Sequence, residues 1–165
     1  SSPEAAQHQL LPMITQAKLN CCVGLCRLDQ QAASIPRFQA LVQDMIAAKA
    51  PLQALSAVRK MLQDACKVSK QHEKLIECYT EEYEYFKSQG QEASPGGIGA
   101  INNRAMTYCT LLNDFQHGAD DHHIVLKLLV EFQGADHPQT QQSVEATIKL
   151  FADNNIVFEP FPNKV

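Results

Sequence analysis

Residues 51–89 read PLQALSAVRKMLQDACKVSKQHEKLIECYTEEYEYFKSQ, and after Pro51 no Gly or Pro interrupts them. Pro is accepted in the first turn of a helix, and Gly90 stands where a helix would end. Apolar or small side chains recur every three and four positions, around a polar patch in the middle. They are Leu55, Val58, Leu62, Ala65, Ser69, His72, Ile76, Tyr79, Tyr83 and Phe86. This heptad spacing predicts one continuous helix over about 51–89.

The length of this predicted helix constrains the fold. A straight helix over residues 51–89 would measure about 58 Å at 1.5 Å per residue. A compact chain of 165 residues would be only about 40 Å across. We therefore predict an all-α fold, in which an elongated and mainly antiparallel bundle of five to seven helices surrounds the long helix. A bend at the polar patch, near 67–72, is the alternative.

Proline and glycine divide the rest of the chain into the other predicted helices. Pro12 predicts a kink or a restart near Leu11, and Pro36 predicts a boundary before the second helix. A loop is expected over 90–99, where Ser94, Pro95 and several glycines fall, and a helix over about 98–117 follows it. The bounds predicted for the last two helices are Asp120 or Asp121 to Phe132, before Gly134, and Pro138 to Asn154 or Asn155.

The composition indicates a single helical domain over residues 1–165. The net charge of -4 provides no basic footprint that would release counterions from nucleic acid, so a nucleic-acid partner is disfavoured. No apolar run approaches the ~20 residues that span a bilayer, and we expect no membrane insertion. The cysteines stand mostly among apolar neighbours, which favours reduced thiols and a cytoplasmic location over disulfides. They are Cys21, Cys22, Cys26, Cys66, Cys78 and Cys109.

Histidine and aspartate gather in HGADDHH, residues 117–123, and these side chains are ligands of zinc, iron or manganese. Adjacent His122 and His123 point in different directions on a helix, and no His-x3-His or Glu-x2-His pair supports them. A polar loop in which an Asp caps the next helix accounts for the same residues. We therefore predict no cofactor and assign no metal ligand. The residues for which metal binding stays open are His117, Asp121, His122, His123 and His137.

The C-terminal end of the long predicted helix is both acidic and aromatic. Glutamates lie four residues apart there, and acids near a helix C-terminus oppose the macrodipole. A solvated face tolerates this cost, whereas an acidic edge that meets a cationic partner would use it. Tyr83 and Tyr85 cannot face the same way, so at least one ring is expected to be exposed or at an interface, where aromatic side chains favour binding.

The tail from Ile156 to Pro162 is predicted to be extended, because its two prolines forbid a helix. Such an apolar segment docks in a groove of its own bundle or of a partner, and its own bundle is favoured. The candidate partner-binding residues are Tyr79, Glu81, Glu82, Tyr83, Tyr85, Phe86, Phe158 and Phe161.

The chain shows no spacing typical of a catalytic site, such as the Gly-x-Ser-x-Gly turn of hydrolases. We therefore predict a non-catalytic protein–protein interaction domain, of the adaptor, scaffold, chaperone-like or effector type, whose partner is another protein. An enzyme is not favoured. One alternative is a helical metal-binding protein or metal-dependent hydrolase that uses the region His117–His123. Another is a structural protein that assembles through the heptad seam.

Overall fold

The computed structural model describes the backbone of residues 3–27 and 30–161. Within those ranges the chain forms seven α-helices and no strand, which confirms the all-α class and the bundle of packed helices. The helices are α1 (Pro3–Arg27), α2 (Gln31–Ala47), α3 (Leu52–Val68), α4 (His72–Ser88), α5 (Pro95–Leu111), α6 (Phe115–Gln133) and α7 (Pro138–Ala152).

The prediction of one continuous helix over 51–89 is wrong, because the stretch forms two helices, α3 and α4. The chain leaves α3 through a Schellman turn, in which the Lys70 amide donates to the Lys67 carbonyl and the Gln71 amide to the Cys66 carbonyl. Lys70 adopts the left-handed conformation that this turn requires, with φ of 55°. The break falls in the polar patch of the seam, where Ser69 presents no apolar side chain to the core and its hydroxyl donates to a backbone carbonyl instead.

The boundary predicted at Pro36 and the restart predicted near Leu11 are also wrong, while a kink at Pro12 stays a prediction. Pro12 lies inside α1, which runs from Pro3 to Arg27, and Pro36 lies inside α2. Pro36 is the sixth residue of α2, so its missing N–H removes only one bond near the start of the helix. Local proline chemistry therefore predicted helix ends that the chain places elsewhere.

The boundary between α5 and α6 differs from the prediction as well. The helix expected over 98–117 ends at Leu111, and α6 begins at Phe115 after Asn113 adopts a positive φ of 53°. Asp114 caps α6 by accepting from the His117 amide at 3.1 Å, so Asp120 and Asp121 are not the cap. The segment HGADDHH is therefore part of α6 and not the polar loop that we expected.

The loop predicted over 90–99 is shorter than expected. Ser94 caps α5 by accepting from the Gly97 amide, and Pro95 occupies the first helical position. The end of α6 at Gly134, with φ of 95°, and the start of α7 at Pro138 agree with the sequence prediction.

Contacts between residues group the chain into two compact units, Ser1–Lys74 and Leu75–Val165. In the first unit, α2 packs against α1 and α3. In the second, α5 and α7 pack against α6 around a core that includes Ile101, Leu126 and Phe151. The single domain over 1–165 stays a prediction. None of the helices in the described ranges is long and apolar enough to cross a bilayer.

Candidate functional site

One face of α4 carries an exposed row of carboxylates, Glu77, Glu81 and Glu84, which we call the acidic stripe. Residues four and seven positions apart lie on the same side of a helix, so the three side chains form a continuous row. The opposite face of α4 is apolar and buried, through Leu75, Cys78, Tyr79, Tyr83 and Phe86. The helix therefore separates a core face from an acidic face that meets solvent.

The carboxylates of the acidic stripe are close enough along α4 to repel one another. Glu77 and Glu81 are like charges at i and i+4, and Glu84 follows Glu81 by three residues. Lys87 offsets little of this charge, because its Nζ lies 3.9 Å from Glu84 Oε1 in an exposed pair. Three exposed carboxylates on one helix face form a surface that is complementary to positive charge.

The second unit as a whole also carries an excess of negative charge. Residues 75–165 contain thirteen acidic and five basic side chains, a net charge of -8, whereas residues 1–74 contain five acidic and nine basic ones, a net charge of +4. The acidic stripe is thus part of a unit whose overall field attracts cations.

The structure divides the predicted partner-binding residues between the core and the surface. Four are buried: Tyr79, Tyr83, Phe86 and Phe158. Glu81 is exposed, while Glu82, Tyr85 and Phe161 are half-buried. Tyr85 follows Glu81 by four residues and meets the ring of Phe86 edge-on, at 5.8 Å between centroids. The assignment of the whole set to a partner stays a prediction, and only its solvent-facing members can contact a partner in this conformation.

A buried ion pair holds the helices beneath the acidic stripe in place. The Arg104 guanidinium on α5 donates two hydrogen bonds of 2.7 Å to the Asp121 carboxylate on α6, and a third of 2.9 Å to the Thr80 hydroxyl on α4. The hydrogen bonds to Asp121 raise the pKa of Arg104 above its ordinary value. Sequence reasoning missed this group, since residues 17 positions apart on different helices produce no local pattern.

The histidines of the HGADDHH segment make separate contacts. His117 Nδ1 donates to Asp114 at 2.6 Å, and the hydrogen bond that Asp114 accepts from the His117 amide lowers the pKa of that carboxyl group. His122 is buried and its two ring nitrogens have no hydrogen-bond partner. His123 Nε2 donates to the Glu159 carbonyl at 2.8 Å, and His137 caps α7. Among the described residues, no three His, Cys, Asp or Glu side chains come together as metal ligands would.

The residues after α7 form an extended segment, Ile156–Phe161, which we call the C-terminal strap. Phe158 inserts against α6 and α7, with its ring 4.7 Å from those of His123 and Phe151. The prediction of an extended tail that docks on its own bundle is confirmed for these residues, while Pro162 lies outside the described part of the chain.

All six cysteines are free thiols. Burial raises the pKa of Cys22, and it raises that of Cys109 to about 11, so both thiols stay protonated and act as packing groups. Cys21 is exposed and its sulfur accepts a hydrogen bond of 2.7 Å from Arg37.

No protein-family model, no curated protein and no solved structure matches this chain. The proposals below therefore depend on its own residues.

Proposed function

We propose that this protein is a non-catalytic protein–protein interaction domain, and that its partner presents a positively charged surface to the acidic stripe of α4. The observation that carries the proposal is the exposure of Glu77, Glu81 and Glu84 on one helix face. A row of exposed carboxylates is electrostatically complementary to a cationic surface, which would steer and orient such a partner on α4.

Two further features support a protein as the partner. Tyr85 lies half-buried four residues after Glu81, and tyrosine is enriched among the side chains that contribute most to binding at protein interfaces. The net charge of -8 on residues 75–165 would steer a basic protein toward this unit, and the same field would repel nucleic acid. The alternative of a metal-binding protein or hydrolase has no comparable support, because His117, His122 and His123 face different neighbours.

The test compares partner recovery by the wild-type chain and by a charge-reversed variant. The variant Glu77→Lys/Glu81→Lys/Glu84→Lys replaces the stripe with lysines at exposed positions, and lysine forms helix as readily as glutamate, so α4 is expected to remain folded. The tagged chain is isolated from its own cells, bound proteins are quantified by mass spectrometry, and native mass spectrometry of the complex measures stoichiometry. We expect the wild type to recover a stoichiometric basic protein, and the variant to recover at least tenfold less.

A matched control separates the stripe from the overall charge. The variant Glu131→Lys/Asp136→Lys/Glu145→Lys changes three other exposed acids of the same unit and alters the net charge equally. We expect it to recover the partner as the wild type does. Equal recovery by the stripe variant, or equal loss in both variants, would reject the acidic stripe as the binding surface.

A further inference from the structure

A surface groove lies over α6 between α5 and α7, and both of these helices pack against α6. Its volume is about 450 Å³, and the clefts that bind small molecules measure roughly 300–1,000 Å³. The groove is open to solvent, and no residue of α4 lines it, so it is separate from the acidic stripe. Its lining includes Met106 of α5, His122 and Val125 of α6, and Thr147 and Leu150 of α7.

The imidazole of His122 is buried without a hydrogen bond. The residue is 3% exposed, and neither Nδ1 nor Nε2 has a hydrogen-bond partner among the described residues. Buried polar groups in proteins are nearly always hydrogen-bonded, so an exception of this kind requires an explanation. His122 lines the groove between α5 and α7, whereas the groove beside Phe158 is lined by His123 instead.

The protonation state of His122 defines the partner that the ring lacks. Burial lowers its pKa from 6.5 to about 4, so the ring is neutral at pH 7 and has one N–H donor and one bare nitrogen that accepts. Phe151 and Phe158 meet the imidazole nearly at right angles, and the face of an aromatic ring is a weak acceptor for an N–H. An aromatic ring has no N–H or O–H for the bare nitrogen. The group that His122 lacks is therefore a donor.

Two polar groups that line the groove are already engaged with protein. The Thr147 hydroxyl donates to the Ser143 carbonyl at 2.8 Å, and Lys149 Nζ donates to Asp153 Oδ2 at 2.8 Å. Apolar side chains line the same groove: Met106, Val125 and Leu150. A charged ligand would lose its hydration against such side chains, so the groove favours an uncharged molecule.

We propose that this groove binds a small, uncharged and largely apolar molecule that carries a hydroxyl group, and that the hydroxyl donates a hydrogen bond to the bare nitrogen of His122. The apolar body of the ligand contacts Val125 and Leu150. Met106 is 37% exposed, and its flexible side chain moves aside to admit the ligand to the imidazole. A ligand with the hydroxyl gives the buried acceptor a partner, and one without it leaves the acceptor unpaired.

The test uses the full chain and two probes of similar shape. 2-Naphthol carries an uncharged hydroxyl at pH 7, and 2-methoxynaphthalene replaces that donor with a methyl ether. Each probe is titrated into the protein and followed by its fluorescence. We expect saturable binding of 2-naphthol and at least tenfold weaker binding of the ether, because the ether cannot donate to His122. Nitrogen-15 NMR should show the signal of one His122 ring nitrogen move upfield when 2-naphthol is added.

Three variants locate the contact. His122→Phe keeps an aromatic ring in the site but removes the acceptor, and it is expected to bind the two probes equally. Ala146→Trp places an indole in the groove from an exposed position of α7, and it should weaken the binding of 2-naphthol at least tenfold. The control His117→Asn removes an exposed histidine that does not line the groove, and it should bind both probes as the wild type does.

Equal affinity of the wild type for the two probes, or full retention of 2-naphthol binding by His122→Phe, would overturn the proposal. The same conclusion would follow if 2-naphthol showed no saturable binding up to its solubility limit, or if it left the nitrogen-15 signals of His122 unchanged. None of these outcomes bears on the acidic stripe, because the groove and the stripe share no residue.

Discussion

His122 carries two ring nitrogens into an apolar site between Phe151 and Phe158, whose rings meet the imidazole nearly at right angles. The residue is 3% exposed, and burial lowers its pKa from 6.5 to about 4. The aromatic faces provide only weak partners for an imidazole N–H, so the site tolerates the neutral ring and opposes the charged one. A single residue therefore makes the stability of this unit depend on pH.

We predict that acid destabilises the chain through His122 and that His122→Leu removes this effect. In the unfolded chain the imidazole protonates near pH 6.5, whereas in the folded chain it stays neutral down to about pH 4. Between these values the unfolded state binds more protons, so stability is lost as pH falls. The free energy of unfolding in urea should drop by about 2 kcal/mol from pH 7.5 to pH 5 on account of this residue. The control His137→Asn keeps a capping side chain and should show the same drop as the wild type.

The ion pair between Arg104 and Asp121 is a second feature at the residue scale. The side chains are 17% and 6% exposed, respectively. We predict that Arg104→Met destabilises the chain by about 3 kcal/mol or more in chemical denaturation, because it leaves a buried carboxylate without its partner. The double variant Arg104→Met/Asp121→Leu should recover most of that loss. A double variant as unstable as Arg104→Met would show that packing of the arginine, and not the orphaned charge, determines the cost.

At the scale of elements, α2, α3 and α4 each end in a Schellman turn. The left-handed position of that turn holds a lysine after α2 and α3 and a glycine after α4. The residues are Lys49 after α2, Lys70 after α3 and Gly90 after α4, with φ of 51°, 55° and 65°. Only Gly90 follows the residue preference of this turn. Sequence patterns interpreted Gly90 as a helix end and Lys70 as helix interior, and that difference produced the predicted long helix.

We predict that Lys70→Gly raises the free energy of unfolding by up to about 1 kcal/mol, because glycine adopts a positive φ without strain. Lys67→Gly, inside α3, should lower it by about 1 kcal/mol, since glycine weakens a helix interior. Thermal and urea unfolding of the two variants measure the difference. If residues 67 and 70 lay in one continuous helix, both substitutions would destabilise to a similar extent.

The first turn of α5 gives a second test at this scale. A Cβ atom added at Gly97 would lie 2.3 Å from the Glu92 carbonyl oxygen, whereas one added at Gly99 would meet nothing within 4 Å. We predict that Gly97→Ala destabilises the chain by about 2 kcal/mol or more, because backbone must move to admit the methyl group. Gly99→Ala should be neutral or stabilise by up to about 1 kcal/mol. Equal effects of the two substitutions would contradict the close approach at Gly97.

For the whole molecule, the uneven distribution of charge has consequences for stability as well as for binding. The net charge of -8 on residues 75–165 contributes self-repulsion to a compact unit, and the net charge of +4 on residues 1–74 contributes less. Dissolved salt screens such repulsion over distances of about 10 Å at 0.1 M.

We predict that raising NaCl from 0.02 to 0.3 M slows hydrogen exchange of the most protected amides in α5 and α6 by roughly two- to fivefold. Amides of α2 and α3 should change less, since repulsion in their unit is smaller. Mass spectrometry of peptic fragments resolves the two sets. The variant Glu131→Gln/Asp136→Asn/Glu145→Gln lowers the negative charge and should reduce the salt effect in α5 and α6. An equal response in both sets would contradict this account.

The sequence by itself determined the helical class and the buried side of each half of the seam. The spacing put Leu55, Leu62, Tyr83 and Phe86 on one seam, and all four are buried, although Tyr83 and Phe86 were also predicted to bind a partner. Gly134 correctly marked the end of α6, and Pro138 correctly marked the start of α7. These features are readable because helical periodicity, capping and the backbone limits of glycine and proline act within about four residues along the chain.

Only the tertiary structure decided the rest. Lys70 ends α3 although its side chain favours helix, because it takes the left-handed position of the Schellman turn that closes the helix. The Arg104–Asp121 pair, the burial of His122 and the seat of Phe158 each join residues from different elements. Such pairings depend on how helices pack against one another, and residues 17 or 36 positions apart leave no periodic trace of that packing.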